Sequence, residues 1–267
     1  MTLEKQIIFL LNKFNTLESK IIVSALLNQG FTKQSIRNAL AKMKQLEYVY
    51  TEKRGIYSPT KKGLSLFLET NPKPNFYYNK WDGQWLIVLI GIPEAQRKKR
   101  DSFRTFLING GFGHLYNNVY VYPWDISEKI IDTIDTLEIE NYVTIVRSND
   151  FLFNKITEEG FSGANSIRRV WDLDHISSMY SEQLKLVNNL KDELINFTSQ
   201  SHVDDQFLIS QLLKLTTIKE ELLDKDPMLP PDFLPGSWMG GDVLALIEDL
   251  LHTLTSLLQA NNFKTNY

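Results

Sequence analysis

Apolar positions in the first seventy residues recur with a period near 3.6, which predicts helices over Leu3–Phe14, Glu18–Asn28 and Lys33 to about Leu46. In the third stretch Ile36, Leu40 and Met43 fall at i, i+4 and i+7 and form a core stripe. Lys33, Gln34, Arg37, Asn38, Ala41 and Lys42 therefore take the remaining faces. Thr32 suits the N-cap of this helix, and Gly30 can end the preceding one in a left-handed conformation, so the connection is a compact turn. Strand-like Tyr48–Glu52 and Ile56–Ser58 flank Lys53-Arg54-Gly55, where Gly55 offers the positive φ of a tight hairpin. Pro59 stops the second strand, and Thr60 can cap a short helix holding Leu64, Leu66, Phe67 and Leu68.

Residues 71–80, NPKPNFYYNK, carry two prolines and no helical spacing, and read as a semi-rigid linker. Beyond it the pattern changes. Gln84–Gly91 is a nearly continuous apolar strand, Pro93 opens a helix to about Asn109, and Val119–Tyr122 is a second clear strand. Ser127 is placed to cap a helix to about Ile139, and Tyr142–Arg147 alternates as a strand. With a short strand near Phe112–Tyr116 the order is β-α-β-β-α-β, a ferredoxin-like arrangement. From about Gly163 the spacing is helical again: Ile167–Tyr180 continuing to Phe197, then Asp205–Leu223 and Asp242–Ala260. The intervening DPMLPPDFLPGSWMGG forbids regular helix and must be an ordered loop or a boundary.

The fold class expected is α+β and multidomain. A winged helix-turn-helix DNA-binding domain spans 1–70, a linker 71–80, a ferredoxin-like domain 81–160, and an α-helical C-terminal domain 161–267.

Composition narrows the function classes. With 43% hydrophobic and 23% charged residues the chain can bury sizeable cores, so disorder is not the theme. No window approaches the roughly 18 consecutive apolar residues of a membrane span. The N-terminal MTLEKQIIFLLNKF lacks a basic leader and reads as a mature helix. The absence of cysteine removes disulfides, iron–sulfur clusters and thiol nucleophiles, and fits a cytoplasmic location. The net charge of −3 hides a polarity: residues 1–70 hold 11 Lys and Arg against 5 Asp and Glu, a balance of +6, which leaves −9 for the rest. A basic module on an acidic body favours nucleic acid over an anionic membrane.

A turn-linked helix pair with a hairpin wing is a physical route to DNA reading, since a helix fits the major groove and a wing reaches backbone or minor groove. Gln34, Arg37 and Asn38 are the candidates for base edges, and Lys33, Lys42, Lys53 and Arg54 for phosphates. The competing reading of each is a charged face that keeps a helix solvated. A second basic run, Arg97-Lys98-Lys99-Arg100 with Arg104, is either a solvated helix end or the seat of an anionic effector. The four histidines show no metal-ligand spacing, and P-loop, GxGxxG and GxSxG patterns are absent, so neither a metal nor a cofactor is expected.

Several stretches taken in order resemble the PaaX family of transcriptional repressors. IRNALAKM (36–43) precedes the Lys53-Arg54-Gly55 turn and YSPTKKG. WDGQWLIVLIGIPE (81–94) comes next, with GFG and VYVYP beyond it. VWDLD (170–174) and DPMLPPDFLPGSWMG (226–240) complete the set. The resemblance implies a winged helix-turn-helix, a ferredoxin-like middle domain and a helical C-terminal domain. It further implies a homodimer that releases double-stranded operator DNA when an aryl-acyl-CoA binds.

The middle domain is also similar in fold to small CRISPR-associated endonucleases, which makes a metal-dependent nuclease the alternative. Where those enzymes carry a metal-organising Asp at the end of the first strand, this chain has Gly91, which has no side chain to ligate a cation. The chain departs from the family pattern at Lys42, where arginine is usual, at Pro59 and at Glu47, the last in place of a turn glycine.

Overall fold

The computed structural model describes residues 1–68, 73, 77, 79–149, 167–198 and 204–261. Most of the expected 71–80 linker and the expected onset of helix near Gly163 lie outside the described residues. The protein is mixed α+β, with two antiparallel sheets and ten α-helices among the described residues. It divides into two compact units: Met1–Asn71 with Tyr180–Leu222 and Gly240–Tyr267, and Pro72–Met179 with Leu223–Met239. The helices expected as one C-terminal domain are thus shared between the two units.

In the first unit, α1 (Leu3–Phe14) begins at Thr2, whose hydroxyl accepts from the Lys5 amide, and buries Ile7, Ile8, Leu10, Leu11 and Phe14. After Asn15, at φ 60°, come β1 (Leu17–Glu18) and α2 (Ser19–Leu27). Gly30 adopts φ 86° and Thr32 caps α3 (Lys33–Gln45), its Oγ1 accepting from the Ser35 amide at 3.1 Å. Ile36, Ala39, Leu40 and Met43 are the buried side of α3. The helix ends with the Tyr48 amide donating to the Met43 carbonyl and the Glu47 amide to that of Lys44, a Schellman closure in which Glu47 takes the left-handed position.

The sheet of this unit has the order β1-β3-β2. β2 (Val49–Tyr50) pairs antiparallel with β3 (Ile56–Pro59), placing Tyr50 opposite Ser58, and β1 adds Leu17 opposite Tyr57. The expected strand Tyr48–Glu52 is therefore shorter, and β1 is an addition, because a two-residue strand has no periodicity of its own. Thr60 caps α4 (Lys61–Leu68) by accepting from the Gly63 amide, while its hydroxyl donates to the Glu47 carbonyl at 2.6 Å. Gly63 is where α4 crosses the chain: a Cβ there would lie 2.1 Å from the Tyr48 carbonyl oxygen.

The helical residues from 180 onward in this unit come from α8 (Leu173–Thr198), α9 (Asp205–Lys225) and α10 (Gly240–Ala260). Ser24 donates to Gln206 at 2.9 Å and Gln29 to the Ser210 carbonyl at 3.3 Å, so α2 and the turn after it are tied to α9 by polar bonds. Among the described residues α10 alone is long and apolar enough to cross a bilayer, yet Val243, Leu244, Ile247, Leu250, Leu254 and Leu258 are buried within the protein.

The second unit holds a four-stranded antiparallel sheet in the order β5-β6-β4-β7. Its strands are β4 (Trp85–Ile90), β5 (Gly113–Tyr116), β6 (Val119–Tyr122) and β7 (Val143–Ser148). β4 is central, with Val88 opposite Tyr120 on one side and Ile145 on the other. α5 (Arg97–Asn109) follows β4 and α6 (Ser127–Leu137) follows β6, and both bury residues in one core with Leu86, Val88, Ile90 and Tyr122. Ser127 is not the cap of α6 as expected. Asp125 takes that part, its Oδ1 accepting from the Ser127 amide and hydroxyl.

α7 (Ile167–Val170) packs on β5 only because residue 113 is glycine, since a Cβ there would come within 2.3 Å of Val170. The proline-rich loop is ordered by buried bonds. The Met228 amide donates to Asp226 Oδ1 at 2.7 Å, the Tyr122 hydroxyl to the Pro227 carbonyl, the Trp124 indole to the Met228 carbonyl, and the Tyr77 hydroxyl to Asp226 Oδ2. Lys73, inside the expected linker, is only 6% exposed and donates to the carbonyls of Asp224 and Asp226.

Candidate functional site

The buried stripe of α3 leaves a broad exposed face. At about 100° per residue, Gln34 and Asn38 lie near its middle, Lys33 and Arg37 toward one edge and Lys42 toward the other. All five are exposed. The Gln34 amide donates to Asn38 Oδ1 at 2.9 Å, which holds two amide groups side by side on the outer surface of the helix. Such a pair offers donors and acceptors of the kind that read base edges.

The edges of the face border two concavities. On the α2 side, Ser19, Lys20, Lys33, Arg37 and Tyr57 line a cleft of about 620 Å³. On the α1 side, Lys42 stands 3.8 Å from Glu4, in an exposed ion pair of the kind that contributes little. The positive rim thus continues from α3 onto the first turn of α2.

The hairpin is tied once to α3 and once to α2, and a third bond closes its own turn. Lys44 Nζ donates to Thr51 Oγ1 at 2.8 Å, the Ser19 amide to the Gly55 carbonyl at 2.7 Å, and the Ile56 amide to the Lys53 carbonyl at 3.1 Å. Gly55 is at φ 81°, which L side chains rarely adopt. Lys53 and Arg54 are exposed at the tip. The seven residues singled out from the sequence, Lys33, Gln34, Arg37, Asn38, Lys42, Lys53 and Arg54, therefore belong to one unit and to two adjoining elements, α3 and the hairpin. Sequence reasoning missed Lys20, Lys44 and Tyr57. Lys20 comes beside Lys33 and Arg37 only through the packing of α2 on α3, and Tyr57 gains its place through pairing with Leu17.

The second basic run has a different setting. Arg97, Lys98, Arg100 and Arg104 all lie on α5 in the other unit, with Arg97 and Lys98 exposed. Arg97 is 3.9 Å from Glu94 and 3.5 Å from Asp101, and Arg100 bonds Glu94 at 2.7 Å. Lys99 reaches Glu138 at 3.2 Å and Arg104 donates to Asn118 at 3.1 Å. An anion arriving here has to displace carboxylates already in place.

At the end of β4 the Gly91 amide donates to the Tyr142 carbonyl at 2.7 Å. Among the described residues there is no group of three or more His, Asp or Glu placed to hold a metal ion.

Comparison with known proteins adds the following. Residues 78–159 match the family model of the PaaX protein central Cas2-like domain, and residues 171–263 match that of the PaaX-like protein C-terminal domain. The chain is 28% identical over 228 residues to the transcriptional repressor PaaX of Escherichia coli strain K12, a match that covers 79% of this chain and 66% of that protein's length. The uncharacterized protein Rv0674 from Mycobacterium tuberculosis has a similar fold, with a TM-score of 0.57 and 16% identity over 92% of this chain and 91% of that one. The two family models and the repressor point the same way: the chain belongs to the PaaX family.

Proposed function

We propose that the protein is a sequence-specific, DNA-binding transcriptional repressor and not an enzyme. It acts in the cytoplasm as a homodimer and leaves its operator when a small effector, an aryl-acyl-CoA or related molecule, binds. In this reading residues 1–70 are a winged helix-turn-helix, 81–160 a ferredoxin-like domain, and 161–267 a helical C-terminal domain. The observation that carries it is the exposed face of α3, with the Gln34–Asn38 pair in its middle, Lys33, Arg37 and Lys42 at its edges, and Lys53 and Arg54 on the adjoining hairpin.

The roles divide by chemistry. Gln34, Arg37 and Asn38 read base edges in the major groove, while Lys33, Lys42, Lys53 and Arg54 neutralise phosphates. Arg37 suits guanine because its planar fork can donate to both O6 and N7, and an Asn side chain suits adenine because its amide donates to N7 while its oxygen accepts from the N6 amino group. The sheet order β5-β6-β4-β7 with its two helices supports the ferredoxin-like reading of the middle domain. The four-residue partnership of Arg97, Arg100, Glu94 and Asp101 makes the α5 run a weaker effector seat than its charge alone implies, although Lys98 and Arg104 keep it a candidate.

Fluorescence anisotropy with duplexes tiled across the DNA upstream of the protein's own gene tests this reading. One tile should bind far more tightly than a scrambled duplex, and Asn38→Ala should erode that preference by about 1–3 kcal/mol per affected base pair. Equal affinity for every tile, unchanged in Asn38→Ala, would sink the assignment of α3 as the reading element.

A further inference from the structure

Between α1 and α3 lies a cleft of about 340 Å³ that meets the proposed DNA-contacting face only at Lys42. It is lined by Ile8, Met43, Leu46 and Tyr48, with Lys5, Lys42 and the carboxylate of Glu4 at its edge. Its volume is at the low end of the range that holds small molecules, about 300–1,000 Å³, so it suits one or two fused rings and not a large nucleotide.

Three observations set it apart from an ordinary surface dent. Its floor is apolar and firm, because Ile8 and Met43 are each only 1% exposed and belong to the packed contact of α1 with α3. Its wall includes Leu46, a large apolar side chain left 40% exposed at the end of α3. Its rim carries two ammonium groups, and among the described residues Lys42 is held only by the Glu4 carboxylate at 3.8 Å, with 65% of its side chain in solvent. A cavity with an apolar floor and a rim of two ammonium groups against one carboxylate keeps a net positive edge, complementary to a molecule with an apolar body and one carboxylate. Such a carboxylate replaces Glu4 as the partner of Lys42, an exchange that costs little because the existing pair is exposed.

We propose that this cleft binds a small aromatic carboxylate, and that its occupation competes with DNA. The competition rests on the repressor reading above, in which Lys42 neutralises a phosphate: the ligand carboxylate adds one negative charge beside Lys42 and opposes a phosphate there. The coupling needs no rearrangement of the domain, since ligand and DNA share one ammonium group.

The test titrates the full chain with 1-naphthoate and, in parallel, with the uncharged 1-naphthalenemethanol, by isothermal titration calorimetry. Naphthoate is expected to bind at one site per chain and the alcohol about tenfold more weakly or worse, as for loss of a charge-assisted bond. Leu46→Asn, at an exposed position outside the DNA-contacting set, should lose naphthoate binding while keeping duplex affinity in the absence of naphthoate. Lys42→Gln should weaken both. In wild type, naphthoate at its own Kd should raise the apparent duplex Kd about twofold, the result of simple competition.

No saturable binding, equal binding of the alcohol, or binding unaffected by both substitutions would overturn the site. If naphthoate binds with the expected dependence on Leu46 and Lys42 while no duplex binds, the site stands, and the competition falls together with the repressor reading.

Discussion

Gly63→Ala should destabilise the protein, against the ordinary preference of helices for alanine. The added Cβ would lie 2.1 Å from the Tyr48 carbonyl oxygen, 2.9 Å from its carbon and 3.1 Å from Ile8 Cδ1. Two of these atoms are backbone, so the neighbour cannot rotate away and α4 must retreat by the better part of an ångström. Ile8 is 1% exposed, so the core of α1 does not yield either.

The retreat also strains the bonds that position α4 and β2, in which the Thr60 amide donates to the Tyr48 carbonyl at 3.0 Å and the Gly63 amide to Thr60 Oγ1 at 3.0 Å. Overpacking costs about 1–3 kcal/mol, and weakening one or two hydrogen bonds adds about 0.5–1.5 kcal/mol each. Against this stands a helix-propensity gain of about 1 kcal/mol. The expected net loss is about 2 kcal/mol, read as a lower urea midpoint with Ser65→Ala, an exposed position of the same helix, as control. Duplex affinity should fall too, since Tyr48 leads directly into β2 of the hairpin. A Gly63→Ala protein as stable as wild type, or more so, would refute the crossing geometry.

Other expectations follow from single residues. Glu47 holds the left-handed position that ends α3 at φ 59°, so Glu47→Gly should raise stability by about 0.5–1 kcal/mol, the relief of about 1–2 kcal/mol of strain less the entropy glycine loses; thermal unfolding checks it. Burial lowers the pKa of Lys73 to about 8, with Asp226 and Asp224 acting in the opposite direction. Its folded pKa is below its unfolded one, so the unfolded chain binds more protons between the two values and stability from this group rises with pH across about 8 to 10.5. The gain by pH 9.5 is about 2 kcal/mol, and urea titrations of wild type minus Lys73→Met at pH 7.5 and 9.5 should show it. With glycine at position 91, purified protein incubated with Mg²⁺ or Mn²⁺ and duplex or single-stranded substrates should show no EDTA-sensitive cleavage.

Much of the first seventy residues was legible because its signals are local. Thr32, Thr60, Gly30 and Gly55 each act within a few residues of where they stand, and each does what its chemistry implies. The four longer strands were legible for the same reason. What escaped depends on distant partners. β1 exists only through Tyr57 and Ile56, some forty residues on. Lys73 reads as a linker residue between prolines, but its ammonium is bonded to carbonyls about 150 residues away. The partners of the α5 run are not legible in its own spacing, because Glu138 comes from another helix end and Glu94 from the turn before α5. Of the candidate DNA site, the α3 and hairpin residues could be named from spacing, whereas Lys20 and Tyr57 enter it only when the sheet closes.

The salt dependence of duplex binding tests the central claim most directly. Each neutralised phosphate contributes about 0.9 to the slope of log K against log salt, so Lys53→Ala with Arg54→Ala should flatten the wild-type slope by about 2 and weaken binding to all sequences alike. A double variant with the wild-type slope and affinity would contradict the account, because the hairpin tip would then not touch the DNA.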